Sequence, residues 1–294
     1  MSEANREEAE RQFSFTRRDF QKIRDLIYTR AGITLADNKR DMVYNRIVKR
    51  VRLFGLKDFS SYLAMLEADA DQAEWEQFTN ALTTNLTAFF REAHHFEILQ
   101  DYLQSLGSAR PITLWCSAAS TGEEPYSIAM AAVEAFGSFS APVRILATDL
   151  DTHVLEQGRK GVYTLDRLDK MDAERKRRFF LRGKGDKSGY CKVVPELQAM
   201  ISFRQLNLLD ARWPVRGPFE AVFCRNVMIY FDKPTQYAIL KKFVPVIQPH
   251  GLLFAGHSES FMHASDLFRT TGRTVYQRND PVARAARQAE GAAA

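Results

Sequence analysis

The run Leu114-Trp-Cys-Ser-Ala-Ala-Ser-Thr-Gly-Glu-Glu-Pro-Tyr-Ser-Ile joins an apolar stretch, a loop of small residues and two adjacent carboxylates. It reads as a buried strand (112–116), a loop (117–122) and a helix that starts at Glu123. Small side chains let a ligand approach the backbone, and a helix start leaves N–H groups free to meet it. The next apolar run, Val143 to Thr148, ends in Asp149. A carboxylate at the tip of the second strand of such a unit accepts from both hydroxyls of a ribose. Asn207, Arg225 and Asn226 lie at the ends of later predicted strands. Ligands of parallel sheets sit beyond the strand carboxyl ends, so these residues collect in one pocket. The pattern points to an adenosine-containing ligand.

The same run narrows the ligand further. Its single glycine is Gly122, which offers less backbone approach than a pyrophosphate wants. No G-x-x-x-x-G-K-[ST] phosphate loop, G-x-S-x-G elbow or H-E-x-x-H helix occurs. An adenosine ligand without a pyrophosphate fits better, with S-adenosylmethionine foremost. Asp149 would take its ribose and the Asn207 end its adenine. Its charged methionine tail would meet Arg91, Glu124 or the 117–122 loop. Arg91 reads either as a group for an anion or as a surface arginine.

The elements that must position these residues follow from periodicity. Strands and helices alternate across 110–255, which predicts a mostly parallel sheet with helices on both faces. Residues 1–12 are charged and read as frayed, and 13–83 read as a small helical domain. A methyltransferase-type α/β domain would occupy 84–280, with a small antiparallel insertion at about 168–206, and 281–294 form a weakly specified tail. Within this scheme an apolar helix starts at Phe89 and holds Arg91 just inside it. Leu165 to Leu181 reads as helical, Asn207 to Asp210 as a strand, and Pro249 to Gly251 as a turn. A loop is expected from Glu67 to Gln72. Adjacent His94 and His95 point to different sides of a helix, which gives no metal site.

One helix, 38–54 with Asp37 as its expected N-cap, is unusual. Val43, Tyr44, Ile47, Val48, Val51 and Phe54 share an apolar arc, and Arg46, Lys49 and Arg52 form a stripe opposite. Lys39, Arg40, Arg50 and Lys57 add to it. Solvated faces usually mix signs, so this stripe is expected to dock on an acidic partner.

A net charge of +5 leaves the placement of charge more informative than its total. Twenty-one Phe residues argue against disorder. Cys116, Cys191 and Cys224 are too far apart for a metal or disulfide framework. With no apolar leader and no run long enough to span a bilayer, the expectation is a soluble, cytoplasmic protein without direct membrane insertion; a monomer is expected.

Four motifs now stand in order: Thr84-Asn-Leu-Thr-Ala-Phe-Phe-Arg-Glu, Ala119-Ser-Thr-Gly-Glu-Glu-Pro-Tyr-Ser, Ala147-Thr-Asp-Leu-Asp and Phe223-Cys-Arg-Asn-Val-Met-Ile-Tyr-Phe. With Gly256-His-Ser-Glu-Ser near the end, the chain from about Phe13 to Tyr276 resembles the bacterial chemotaxis receptor methyltransferases, the CheR family. The resemblance implies methyl transfer from S-adenosylmethionine to receptor glutamates, leaving S-adenosylhomocysteine. It implies a cofactor site lined by Asn85, Thr87, Arg91, Glu124, Asp149, Asn207, Leu208, Arg225 and Asn226. Arg91 and Tyr230 would lie nearest the incoming glutamate. The basic helix would face the receptor's acidic helical bundle. Arg182, Gly183 and Lys192 of the insertion would take a peptide from the receptor's C-terminus by strand addition. No metal is implied.

Two other readings stay open on the residues. One is a nucleic-acid methyltransferase with the basic helix on phosphates. Against it, Arg225-Asn226-Val227-Met228 lacks an Asn/Asp-Pro-Pro-aromatic loop, and no aromatics interleave with the basic stripe. The other is a non-catalytic docking or cofactor-sensing module, against which Arg91 and Tyr230 stand.

Overall fold

Thr16 and Asp19 open the first helix with a reciprocal capping box, and Gly32, at φ 67°, closes it. The computed structural model describes residues 12–68 and 72–279. The charged start, the middle of the loop expected at 67–72 and the tail from 280 lie outside the described residues. The chain divides into two compact units, Met1–Thr84 with Tyr230–Asp232, and Asn85–Ile229 with Lys233–Ala294.

The smaller unit is helical: α1 (Arg17–Ala31), α2 (Arg40–Leu53), α3 (Phe59–Ala68) and α4 (Gln72–Leu82). Apolar residues spaced three and four apart, among them Phe20, Ile23, Ile27, Val43, Ile47, Val51, Phe59, Leu66 and Phe78, meet in its core. The basic helix differs from expectation at both ends. Asp37 does not cap it but pairs with Arg24 at 2.6 Å, and a short 3-10 turn, Asp37–Lys39, comes first. Phe54 follows the last helical turn and is 42% exposed, so it leaves the buried arc.

The larger unit alternates strands and helices: α5 (His94–Leu106), β1 (Ile112–Cys116), α6 (Glu123–Phe136), β2 (Val143–Asp149), α7 (Thr152–Lys160), β3 (Val162–Thr164), α8 (Ala173–Phe179), β4 (Phe180–Arg182), β5 (Tyr190–Val193), α9 (Pro195–Gln198), β6 (Ile201–Gln205), β7 (Phe219–Cys224), α10 (Lys233–Phe243), β8 (Ile247–Ala255), β9 (Phe268–Gly272) and β10 (Val275–Arg278). Seven strands form one sheet in the order β6-β2-β1-β7-β8-β10-β9. All neighbours run parallel except β10, antiparallel to both β8 and β9. The chain runs outward from β1 to β2 and β6, then returns to β7 on β1's other side. That reversal opens a crevice at the carboxyl ends of β1 and β7.

The central strands are apolar because both faces are covered. Every residue of β7 is buried. Phe223 stacks on Phe254 with centroids 4.2 Å apart, while Trp115 is ringed by Trp213, Phe219 and Phe243. Each such burial stabilises the fold by roughly 2–3 kcal/mol. This is the expected α/β architecture with an all-α region before it.

The insertion differs in detail. Its three strands, in the order β3-β5-β4, pair antiparallel from Val162 to Val193. β6, counted above with the insertion, pairs parallel with β2 in the large sheet. The stretch 165–181, expected as helix, is a 3-10 turn, the two-turn α8 capped by Asp172, and then β4. Phe179 ends α8, and Phe180, with extended backbone, starts β4. The turn expected at 249–251 is a register shift of β8 against β7. Among the described residues, no helix is long and apolar enough to cross a membrane.

Candidate active site

At the crevice the loop after β1 ties three strands together. Ser117 N–H donates to Phe223 O at 2.8 Å, Ala119 N–H to Thr148 O at 2.8 Å, and Ser120 N–H to the Asp149 carboxylate at 2.8 Å. These three loop N–H groups bond within the protein. Gly122 likewise serves packing: a Cβ there would lie 2.7 Å from Tyr163 Oη and 2.9 Å from Gly158 Cα.

The start of α6 is occupied by its own acids. Glu123 and Glu124 are both buried in the first turn, where the helix dipole favours negative charge. Glu123 pairs with Arg167, and Glu124 with Arg225 at 2.6 Å. A phosphate would meet carboxylates here, in accord with the absence of a phosphate-loop motif.

Asp149 sits half-buried at the end of β2. Its oxygens accept from Ser120 N–H at 2.8 Å and Asp151 N–H at 3.0 Å, and burial pushes its carboxyl up to about 6. Asn85 is held beside it: its amide donates to Asp151 at 2.8 Å, and its carbonyl accepts from Ser120 Oγ at 3.0 Å. Asn207 and Leu208 follow β6. The expected strand at 207–210 is instead a turn, because the Asn207 side chain accepts from Leu209 N–H at 3.0 Å. Leu208 is buried beneath.

Arg225, directly after β7, lies at the centre of a buried network. It pairs with Glu124, approaches Glu92 at 3.3 Å, and donates to Arg91 O. Glu124 also accepts from Cys116 Sγ at 3.3 Å. Burial raises the Glu124 carboxyl, against the pull of Arg225. Burial acts the same way on Glu92, but the His257 N–H at 3.0 Å and Arg225 outweigh it and hold Glu92 below its ordinary value. Arg225 Nε and Glu92 Oε2 are buried without hydrogen-bond partners among the described residues.

Arg91 is not inside a helix. It stands in a turn before α5 between two left-handed residues, Phe90 (φ 50°) and Glu92 (φ 58°). Its guanidinium donates to Leu86 O at 3.0 Å. Thr87 lies earlier in that segment, its carbonyl accepting from Arg167 at 3.3 Å. Asn226 is also left-handed (φ 57°), and its loop is gripped by Glu259. That buried carboxylate accepts from the N–H groups of Asn226 at 2.9 Å, Met228 at 2.8 Å and Gly256. A Cβ at Gly256 would lie 2.3 Å from Asn226 Nδ2. Glu92 and Glu259 are the site-building residues that sequence reasoning did not single out. The run Gly256-His-Ser-Glu-Ser held the signal for the second.

Tyr230 clusters with the smaller unit. Its carbonyl accepts from Thr34 N–H at 2.9 Å, and its hydroxyl donates to Thr84 O at 3.5 Å. On α2 the stripe is uneven. Lys49 is exposed, Arg52 is exposed with a bond to Gln12 at 2.8 Å, and half-buried Arg46 donates to Thr83 O at 2.5 Å. Arg50 is taken up by buried Glu74, which also accepts from Tyr62 Oη at 2.6 Å. In the insertion, Lys192 of β5 is paired across to Val162 and Leu181, and this outer face is exposed. Arg182 pairs with Cys191, and a Cβ at Gly183 would lie 2.0 Å from Lys187 O, so the tight turn requires glycine.

The crevice thus gathers the Asp149 carboxylate at a strand tip, the carboxylates of Glu92 and Glu124, and an Arg225 nitrogen with no hydrogen-bond partner among the described residues. It offers no phosphate cradle. This set fits S-adenosylmethionine.

Comparison with known proteins agrees. Residues 85–277 match the family described as CheR methyltransferase, SAM binding domain, and residues 18–83 match CheR methyltransferase, all-alpha domain. The chain is 53% identical over 266 residues to the chemotaxis protein methyltransferase 2 of Pseudomonas aeruginosa, covering 90% of this chain and 94% of that protein. It is 54% identical over 259 residues to the Klebsiella aerogenes chemotaxis protein methyltransferase, covering 87% and 88%. It is 51% identical over 257 residues to that of Escherichia coli, covering 87% and 89%. The chain therefore belongs to the CheR family of chemotaxis methyltransferases, with S-adenosylmethionine as its cofactor.

Proposed function

We propose that this enzyme methylates glutamate side chains on the cytoplasmic helical bundle of chemoreceptors, giving methyl esters for sensory adaptation, the activity of a protein-glutamate O-methyltransferase. The observation that supports the reading is the anchored turn at Arg91, whose carbonyl accepts from Arg225 and whose guanidinium donates to Leu86 O. A guanidinium suits an acceptor that is itself a carboxylate. The cofactor supplies a methyl group on a sulfonium, so the C–O bond of the ester forms as the S–CH3 bond breaks and no proton has to move. A carboxylate is ionised at neutral pH, and no general base is required of the protein.

The protein's part is then alignment and exclusion of water. Asn85, Thr87, Glu124, Asp149, Asn207, Leu208, Arg225 and Asn226 are assigned to hold the cofactor. Arg91 and Tyr230 are assigned to orient the glutamate carboxylate. Label from the cofactor methyl should appear on a receptor cytoplasmic fragment and be released as methanol by base. Arg91→Ala should lower kcat at least ~100-fold, and Tyr230→Phe by less, ~10-fold, as for other oriented donors. Normal turnover by Arg91→Ala, or base-stable label, would defeat the assignment.

A further inference from the structure

The basic run in α8 has no part in the activity described so far, and one of its residues reaches toward the Arg91 turn. Arg175 forms a fork with Glu134 at the end of α6, Nε to Oε1 at 2.7 Å and Nη2 to Oε2 at 2.8 Å. Glu134 is itself held by Gln100 at 2.6 Å. So fixed, the guanidinium lies 4.0 Å from the ring centroid of Phe90. The Phe96 ring meets Phe90 edge-on at 5.1 Å.

Phe90 is the residue before Arg91, and a bulky side chain at φ 50° is held there only by its surroundings. Its N–H donates to Ser127 Oγ at 2.9 Å, which fixes the backbone before Arg91, as Arg225 fixes the carbonyl after it. Ring and backbone together lock the turn. We propose that Arg175 is a positioning residue for methyl transfer, which keeps Phe90 in its left-handed conformation by a cation–π contact and thereby aims the Arg91 side chain. This rests on the reading of Arg91 given above.

Replacing Arg175 should not break the fold. Its outer side faces a cleft of about 420 Å³ lined by Glu134, Asp172, Glu174, Arg178 and Phe179, so truncation opens no void in the core. The test is a double-mutant cycle on the full chain, with a receptor cytoplasmic fragment as acceptor. Arg175→Met should lower kcat ~10-fold, the rate equivalent of losing such a contact. Receptor KM, affinity for S-adenosylhomocysteine and the thermal midpoint should stay put. Arg175→Lys keeps a cation over the ring and should recover most of the loss. Combined with Arg91→Ala, Arg175→Met should cost no more than ~2-fold, because both act through one side chain. An unchanged kcat in Arg175→Met, or losses that multiply in the double variant, would overturn the proposal while leaving Arg91 in place. A full-rate Arg91→Ala enzyme would overturn the reading of Arg91 and the proposal with it.

Discussion

A carboxylate accepts from a ribose diol on two oxygens only when it is ionised. Burial pushes Asp149 up to about 6, so in the free protein the ionised form is lost as pH falls through that value. Affinity for S-adenosylhomocysteine should therefore be full above about pH 7 and fall roughly 10-fold by pH 5. Asp149→Asn should bind weakly and without this pH dependence. Calorimetry across that range checks both, and a flat wild-type profile would remove the diol role from Asp149. The place of Asp149 at the tip of β2 was legible because an acid closing an apolar run is a local signal. Glu259 was not, because its meaning lies in the N–H groups of Asn226 and Met228, more than thirty residues earlier in the chain.

Among elements, the basic helix shows what periodicity tells and omits. The buried arc of α2 followed from residue spacing, apart from Phe54. The opposite stripe did not divide by spacing. Arg46 is half-buried and bonded at the end of α4, whereas Lys49 and Arg52 are exposed. We predict that Lys49→Glu with Arg52→Glu raises receptor KM ~10-fold at low salt, an effect that shrinks as salt screens it. Cofactor affinity should be untouched. Arg46→Glu should lower the thermal midpoint as well, since it removes the bond from Arg46 to the Thr83 carbonyl. Equal melting of the two variants would contradict this division. The segment before α5 misled for another reason. Phe89 and Phe90 look like the start of an apolar helix, but the left-handed residues on either side of Arg91 make a turn that no hydropathy pattern signals.

At the scale of the molecule, the alternation of strands and helices was enough to foresee the parallel sheet and its crevice. The three-residue strands of the insertion were less legible, because they are too short to show a period. If that insertion captures a receptor tail by strand addition, the chain carries two attachment regions for one partner, and a weak hold at each raises the effective concentration of the acceptor. Titration of a chemoreceptor C-terminal peptide should give a binding heat that Arg182→Glu and Lys192→Glu diminish. A silent titration would leave the insertion without this role.

The least legible feature of all is that three residues, Tyr230–Asp232, belong with the helical unit although they are embedded in the sequence of the other. Tyr28 donates to Asp232 at 2.7 Å and Thr34 to Tyr230 at 2.9 Å. A chimaera made by exchanging residues 13–83 between two such enzymes would graft a foreign helical lobe onto a native tripeptide. To keep these two bonds native, the transplant has to carry those three positions along with the lobe.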